Sequence, residues 1–163
     1  MVVADAGPLI ALGRIGRLDL LRPILGEVLA PEAVLAECLV EPLRPGALAI
    51  VDAVARRWLH RTPDPRPEEP SFAVLGAGES AAIRLARALA VPVLMDDRAG
   101  RSVARNLGVA VIGTGGFILA AKQRGLIDAV APVLEALRAN GYHLPTALVE
   151  AILDRAGEAP ERP

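Results

Sequence analysis

Short apolar runs alternate along this chain with longer stretches whose Leu, Ile and Ala positions recur at helical spacing. VVADA (2–6) is too brief and β-branched for a helix and reads as a buried strand. Gly7-Pro8 is expected to turn the chain into a helical pattern over 9–21, with a break near Gly13 or Gly16. EVLAP (27–31) reads as a second strand, and Pro31 suits the first turn of a helix over EAVLAECLVE. Pro42 and Pro45-Gly46 interrupt the chain before a helix at about 46–56, and WLHRT (58–62) is a third strand. TPDPRPEEP (62–70), with four prolines and three acids, reads as an exposed loop. Helices over 78–90 and 98–107 flank the strand VPVLM (91–95). VAVIG (109–113) is the last strand, after which Thr114 is expected to cap a helix to about Arg124. Two more helices follow, 128–140 with its stop at Gly141 and 145–156, before a frayed, disordered tail at 157–163.

This order predicts an α/β fold around a mostly parallel sheet of four or five strands, in one domain over 1–156. The 163 residues can bury roughly two thirds of the unfolded surface. The core must come from Ala, Leu and Val, because Trp58, Phe72, Phe117 and Tyr142 are the only aromatic residues. The longest uncharged stretch, Leu107 to Ala121, falls short of the ~20 residues a membrane span needs. A lone Cys38 excludes an internal disulfide and fits a reducing compartment. No basic segment precedes an apolar run in MVVAD, so no signal peptide and a cytoplasmic location are expected. A net charge of -1 gives no global basic field of the kind that draws proteins to nucleic acid.

Acidic residues stand at the edges of the apolar runs: Asp5, Glu37, Glu79 and the pair Asp96-Asp97. Open α/β sheets build their sites at the carboxyl ends of their strands. Carboxylates gathered there would repel by about 4 kcal/mol per close pair at an effective dielectric near 20, so the cluster calls for a cation. An all-oxygen set selects Mg²⁺ or Mn²⁺ over zinc or copper. No histidine or cysteine pattern competes, since His60 and His143 are isolated. Such an ion polarises a phosphodiester and activates water. Each acid taken singly has an ordinary alternative: Asp5 and Asp96 or Asp97 as helix caps, Glu37 on a solvated helix face, Glu79 at the positive end of a helix dipole.

The segments VVADAGPLIALGRIGRLDLL, VLAPEAVLAE, LGAGESAAIRLA, VLMDDRAGRSVARNLGVAVIGTGGFILAAKQRGLI and GYHLPTALVEAIL together resemble the PIN-domain ribonucleases, most closely a VapC-like toxin branch. The resemblance covers nearly the whole chain. It implies a three-layer α/β/α fold, a Mg²⁺- or Mn²⁺-dependent endoribonuclease site, a homodimer and a small antitoxin partner. It maps Asp5, Glu37, Glu79 and Asp96 onto the family's acidic quartet, with Asp97 as an adjacent candidate ligand and Thr114 near the pocket as a substrate-binding residue whose hydroxyl would hold metal-bound water. Ala6 departs from the Ser or Thr of many relatives, and Glu79 from their Asp.

Two other readings compete. GAGESA (76–81) has the form G-x-G-x-x-A, with Asp96 about twenty residues on, as in a dinucleotide-binding fingerprint. A catalytically silent PIN-like binding module would keep the fold without the chemistry. For substrate, Arg98, Arg101 and Arg105 share a helical face directly after the last acids, and Arg98 and Arg101 are expected to hold RNA phosphate. The scarcity of aromatics makes a base-stacking platform a poor expectation.

Overall fold

The computed structural model describes residues 1–41, 45–66 and 75–158. Five strands form a single sheet: β1 (Val2–Ala4), β2 (Val28–Pro31), β3 (Leu59–Thr62), β4 (Val93–Leu94) and β5 (Val111–Ile112), in the order β3-β2-β1-β4-β5. All four pairings are parallel. β1 is central, with Val3 opposite Leu29 on one side and Val93 on the other, and its three residues are buried. That explains its unbroken apolar run, because a parallel strand covered on both faces has no solvent side to alternate towards.

Helices cover both faces: α1 (Ala6–Arg14), α2 (Leu21–Leu25), α3 (Glu32–Cys38), α4 (Pro45–Ala55), α5 (Ala77–Leu89), α6 (Arg98–Asn106), α7 (Thr114–Gln123), α8 (Ala131–Ala139) and α9 (Thr146–Ala156). The expected three-layer α/β/α architecture is therefore present, with every strand parallel. Leu9, Leu12, Leu21, Ile50, Leu59, Ile83, Leu94, Met95, Phe117 and Ile118 are fully buried in its core. Each contributes about 1.5–3 kcal/mol by leaving water. Among the described residues no helix is long and apolar enough to cross a membrane.

Some elements differ from the sequence expectation. Helix α1 starts at Ala6, so Gly7 and Pro8 lie inside its first turn, where proline's missing N–H is no loss. It runs through Gly13, whose Cβ would stand 2.9 Å from the Gly46 carbonyl oxygen: Gly13 is a contact between α1 and α4, not a break. The turn comes at Gly16, at φ +65. The next apolar residues then form a 3-10 turn (Leu18–Leu20) and α2. Helix α7 is capped at Gly113 rather than Thr114. Of the Pro-rich loop and the C-terminal tail, 67–70 and 159–163 lie outside the described residues.

Candidate active site

Strand order reverses between β1 and β4, and at such a switch point diverging connections leave a crevice at the carboxyl ends of the strands. Asp5 directly follows β1 there, its backbone N–H donating to the Leu94 carbonyl at 3.0 Å. It occupies the N-cap position of α1, yet its side chain makes no capping hydrogen bond. The residue is 5% exposed, and its Oδ1 is buried with no hydrogen-bond partner. Its carboxyl is pushed up from 3.8 to about 7. Burial is the main cause; the Ala6 amide works against it, and the negative charges of Glu79, Glu37 and Asp96 add to it. The fold thus brings three more carboxylates within electrostatic reach of Asp5.

Glu37 and Glu79 meet at the start of α5. The Gly78 N–H donates to Glu37 Oε1 at 2.8 Å, and the Gly76 N–H to Glu79 Oε2 at 3.0 Å. Glycine at 78 leaves room for that carboxylate, since a Cβ there would fall 2.6 Å from Glu37 Oε1. Helix α3, which carries Glu37, is held at its own start by the Ala33 N–H donating to Asp64 Oδ1 at 3.0 Å. The first residues of the Pro-rich stretch therefore take part in supporting the site. Cys38, next in line, is buried, and its thiol is pushed up to about 12 by burial and then by the charges of Asp5 and Glu37. It remains a protonated, unreactive neighbour of the pocket.

Asp96 is tied on both oxygens. The Thr114 N–H donates to its Oδ1 at 2.9 Å, and the Thr114 and Tyr142 hydroxyls both donate to its Oδ2. Asp96, just after β4, thereby binds the start of α7 at the end of the neighbouring β5, and the Thr114 hydroxyl, fully buried, is turned to Asp96 instead of its own helix. Arg101 Nη1 stands 3.9 Å from Asp96 Oδ1. A Cβ on Gly113 would lie 2.6 Å from that nitrogen and 3.2 Å from Asp96 Oδ1, so the bare backbone at 113 makes room for both. Asp97 faces elsewhere: as N-cap of α6 it accepts from the Gly100 N–H at 2.7 Å. Arg98 and Arg105 are exposed on α6, while Arg101 is half-buried beside the acids.

Tyr142 is the residue the sequence reading missed. It lies 46 positions from Asp96, in the link between α8 and α9, and no local pattern marks it. The available signal was weak: a solitary tyrosine just past a helix-stopping glycine.

Among the described residues no group of three His, Cys, Asp or Glu side chains stands ready to hold an ion directly. The donor chemistry nonetheless fits a hard cation. The four acids present oxygen only, and the buried, unpartnered Oδ1 of Asp5 is an unsatisfied acceptor in a negative field.

This arrangement also bears on the dinucleotide reading. A pyrophosphate would need the free N–H groups at the start of α5. Two of these already bind the carboxylates of Glu37 and Glu79, which would repel it. The glycine pair, moreover, opens α5 rather than the helix after β1, where the fingerprint belongs.

A parallel sheet with carboxylates gathered at its switch point is the frame of a nuclease-type domain. A family model described as PIN domain matches residues 1–158, and the chain belongs to that family. PIN domains are of the nuclease superfamily and generally use divalent metal ions. No curated protein and no solved structure gave a significant match.

Proposed function

We propose that this protein is an endoribonuclease that hydrolyses RNA phosphodiesters with Mg²⁺ or Mn²⁺, held by Asp5, Glu37, Glu79 and Asp96. The observation that carries the reading is Asp5 Oδ1, buried and without a hydrogen-bond partner among further carboxylates. An orphan acceptor of this kind costs about 1–3 kcal/mol, more when charged, and a bound cation removes that cost. When bound, the ion neutralises the phosphate and lowers the pKa of a water to supply the nucleophile.

The chain's own groups do the remainder. Asp5 presents its free oxygen at the crevice floor. Thr114 and Tyr142 fix the Asp96 carboxylate, and Glu37 and Glu79 complete the negative field. Arg101 offers guanidinium N–H groups to the charge developing on phosphate, with Arg98 further out on α6 extending the contact along the strand. Asp97 is assigned to the start of α6 and not to the ion, since it caps that helix and is not among the carboxylates whose charge acts on Asp5.

The resemblance of the quoted segments to VapC-like proteins further supports a cytoplasmic toxin that forms a homodimer and is silenced by a small antitoxin. Asp5→Asn tests the catalytic reading. It should lower Mn²⁺-dependent RNA cleavage at least 10³-fold, on the order of 4 kcal/mol in the barrier, while circular dichroism and melting stay near wild type. Retained cleavage in that variant contradicts the assignment.

A further inference from the structure

We propose that Tyr142 is a positioning residue for Asp96, so that the link between α8 and α9 completes the metal pocket; this rests on the nuclease reading above. A carboxylate offers about four lone-pair sites, two on each oxygen. Two hydroxyls, those of Thr114 and Tyr142, occupy Oδ2, whereas Oδ1 accepts one hydrogen bond, from the Thr114 amide, with Arg101 Nη1 3.9 Å away. The pair of hydroxyls therefore saturates Oδ2 and leaves Oδ1 as the oxygen with capacity for a cation. Without the phenol, Thr114 alone holds the carboxylate, and the acceptor site freed on Oδ2 competes with Oδ1 for the ion. Hydrogen bonds that orient a ligand in this way hold it in the bound geometry before the ion arrives.

Tyr142 is itself firmly held. Gly141, at φ +81, ends α8, and the Tyr142 N–H returns to the Leu137 carbonyl at 2.9 Å. The residue lines a cleft of about 470 Å³ with Leu134, Leu144, Val149 and Leu153, between the last two helices. Those helices are fastened to the body. Ile152 of α9 packs on Gly115 of α7, where a Cβ would come within 2.4 Å of Ile152 Cδ1. Lys122 of α7 donates to Glu158 Oε1 at 2.6 Å, and Glu158 accepts from the N–H groups of Val130 and Ala131 at the start of α8. The phenol thus arrives at Asp96 from a braced platform.

The test compares wild type with Tyr142→Phe, which keeps the ring in the cleft and removes only the hydroxyl. Mn²⁺ affinity is read from the electron paramagnetic resonance signal of free Mn²⁺, and RNA cleavage is followed in parallel. The variant should bind Mn²⁺ about 10- to 100-fold more weakly and lose kcat, with KM for RNA and metal-free melting near wild type. Wild-type Mn²⁺ affinity and kcat in the variant overturn the proposal and leave the nuclease reading intact. A wild-type protein that neither binds Mn²⁺ nor cuts RNA overturns both.

The chain has one tyrosine, which gives a second measurement free of any folding defect in the variant. Protein labelled with ¹³C at the tyrosine Cζ carries a single resonance, which Mg²⁺ should shift over the concentrations that support cleavage. A resonance indifferent to Mg²⁺ while cleavage proceeds overturns the role of Tyr142.

Discussion

At Gly78 and Gly113 the absent side chain matters for what stands beside it. A methyl at 78 would enter the space of the Glu37 carboxylate, and one at 113 the space of the Arg101 guanidinium. Glu37 meets that methyl with the far end of a flexible side chain, which can move at little cost. Alanine in a helix is otherwise favoured over glycine by roughly 0.5–1 kcal/mol. Gly78→Ala should therefore leave the melting temperature within a few degrees of wild type yet reduce RNA cleavage at least tenfold, as Glu37 leaves the Gly78 amide. A variant with full cleavage would show that Glu37 is not needed where it stands. The acids were visible in the sequence as positions, each at the edge of an apolar run. Which oxygen of which acid faces the crevice was not visible: Asp96 and Asp97 are adjacent in sequence, and only the entry to α6 turns Asp97 onto the Gly100 amide. Tyr142 was unreadable because its meaning depends on a contact across 46 residues.

Among the elements, the long amphipathic helices were legible and the boundaries near proline and glycine were not. Pro8 resembles a turn in sequence but serves in the first turn of α1, and Gly13 resembles a break but serves as a contact with α4. Both outcomes depend on neighbours far along the chain. The C-terminal end offers a further case. The sequence suggests fraying from 157 onward, yet Glu158 accepts from Lys122 and from the N–H groups of Val130 and Ala131. Partial burial opposes ionisation of Glu158, but Lys122 and these amides outweigh it and hold its carboxyl down at about 2 from 4.5. A group lowered in the folded state stabilises above its unfolded pKa, so this contribution is complete above about pH 4.5 and is lost as pH falls towards 2. Glu158→Ala should cost about 1–2 kcal/mol at pH 7, a fall of several degrees in melting temperature. Unchanged melting would mean that α8 needs no cap from the C-terminal end.

For the molecule as a whole, the alternation of short apolar runs with helices dictated a parallel sheet, and the chain's own order of connections produced the reversal between β1 and β4. That reversal makes the crevice, and it explains how acids spread from position 5 to position 96 come to share one electrostatic environment. Neither a global basic field nor an aromatic platform competes for the role, since the net charge is -1 and aromatic residues make up 2% of the chain. The site's character comes from gathered negative charge, which a bound counter-charge would relieve. The direct measurement is an anomalous diffraction map from a crystal grown with Mn²⁺. A peak within coordination distance of Asp5 and Asp96 is the predicted result; a fully occupied Mn²⁺ elsewhere, with no peak in the β1–β4 crevice, would contradict the account.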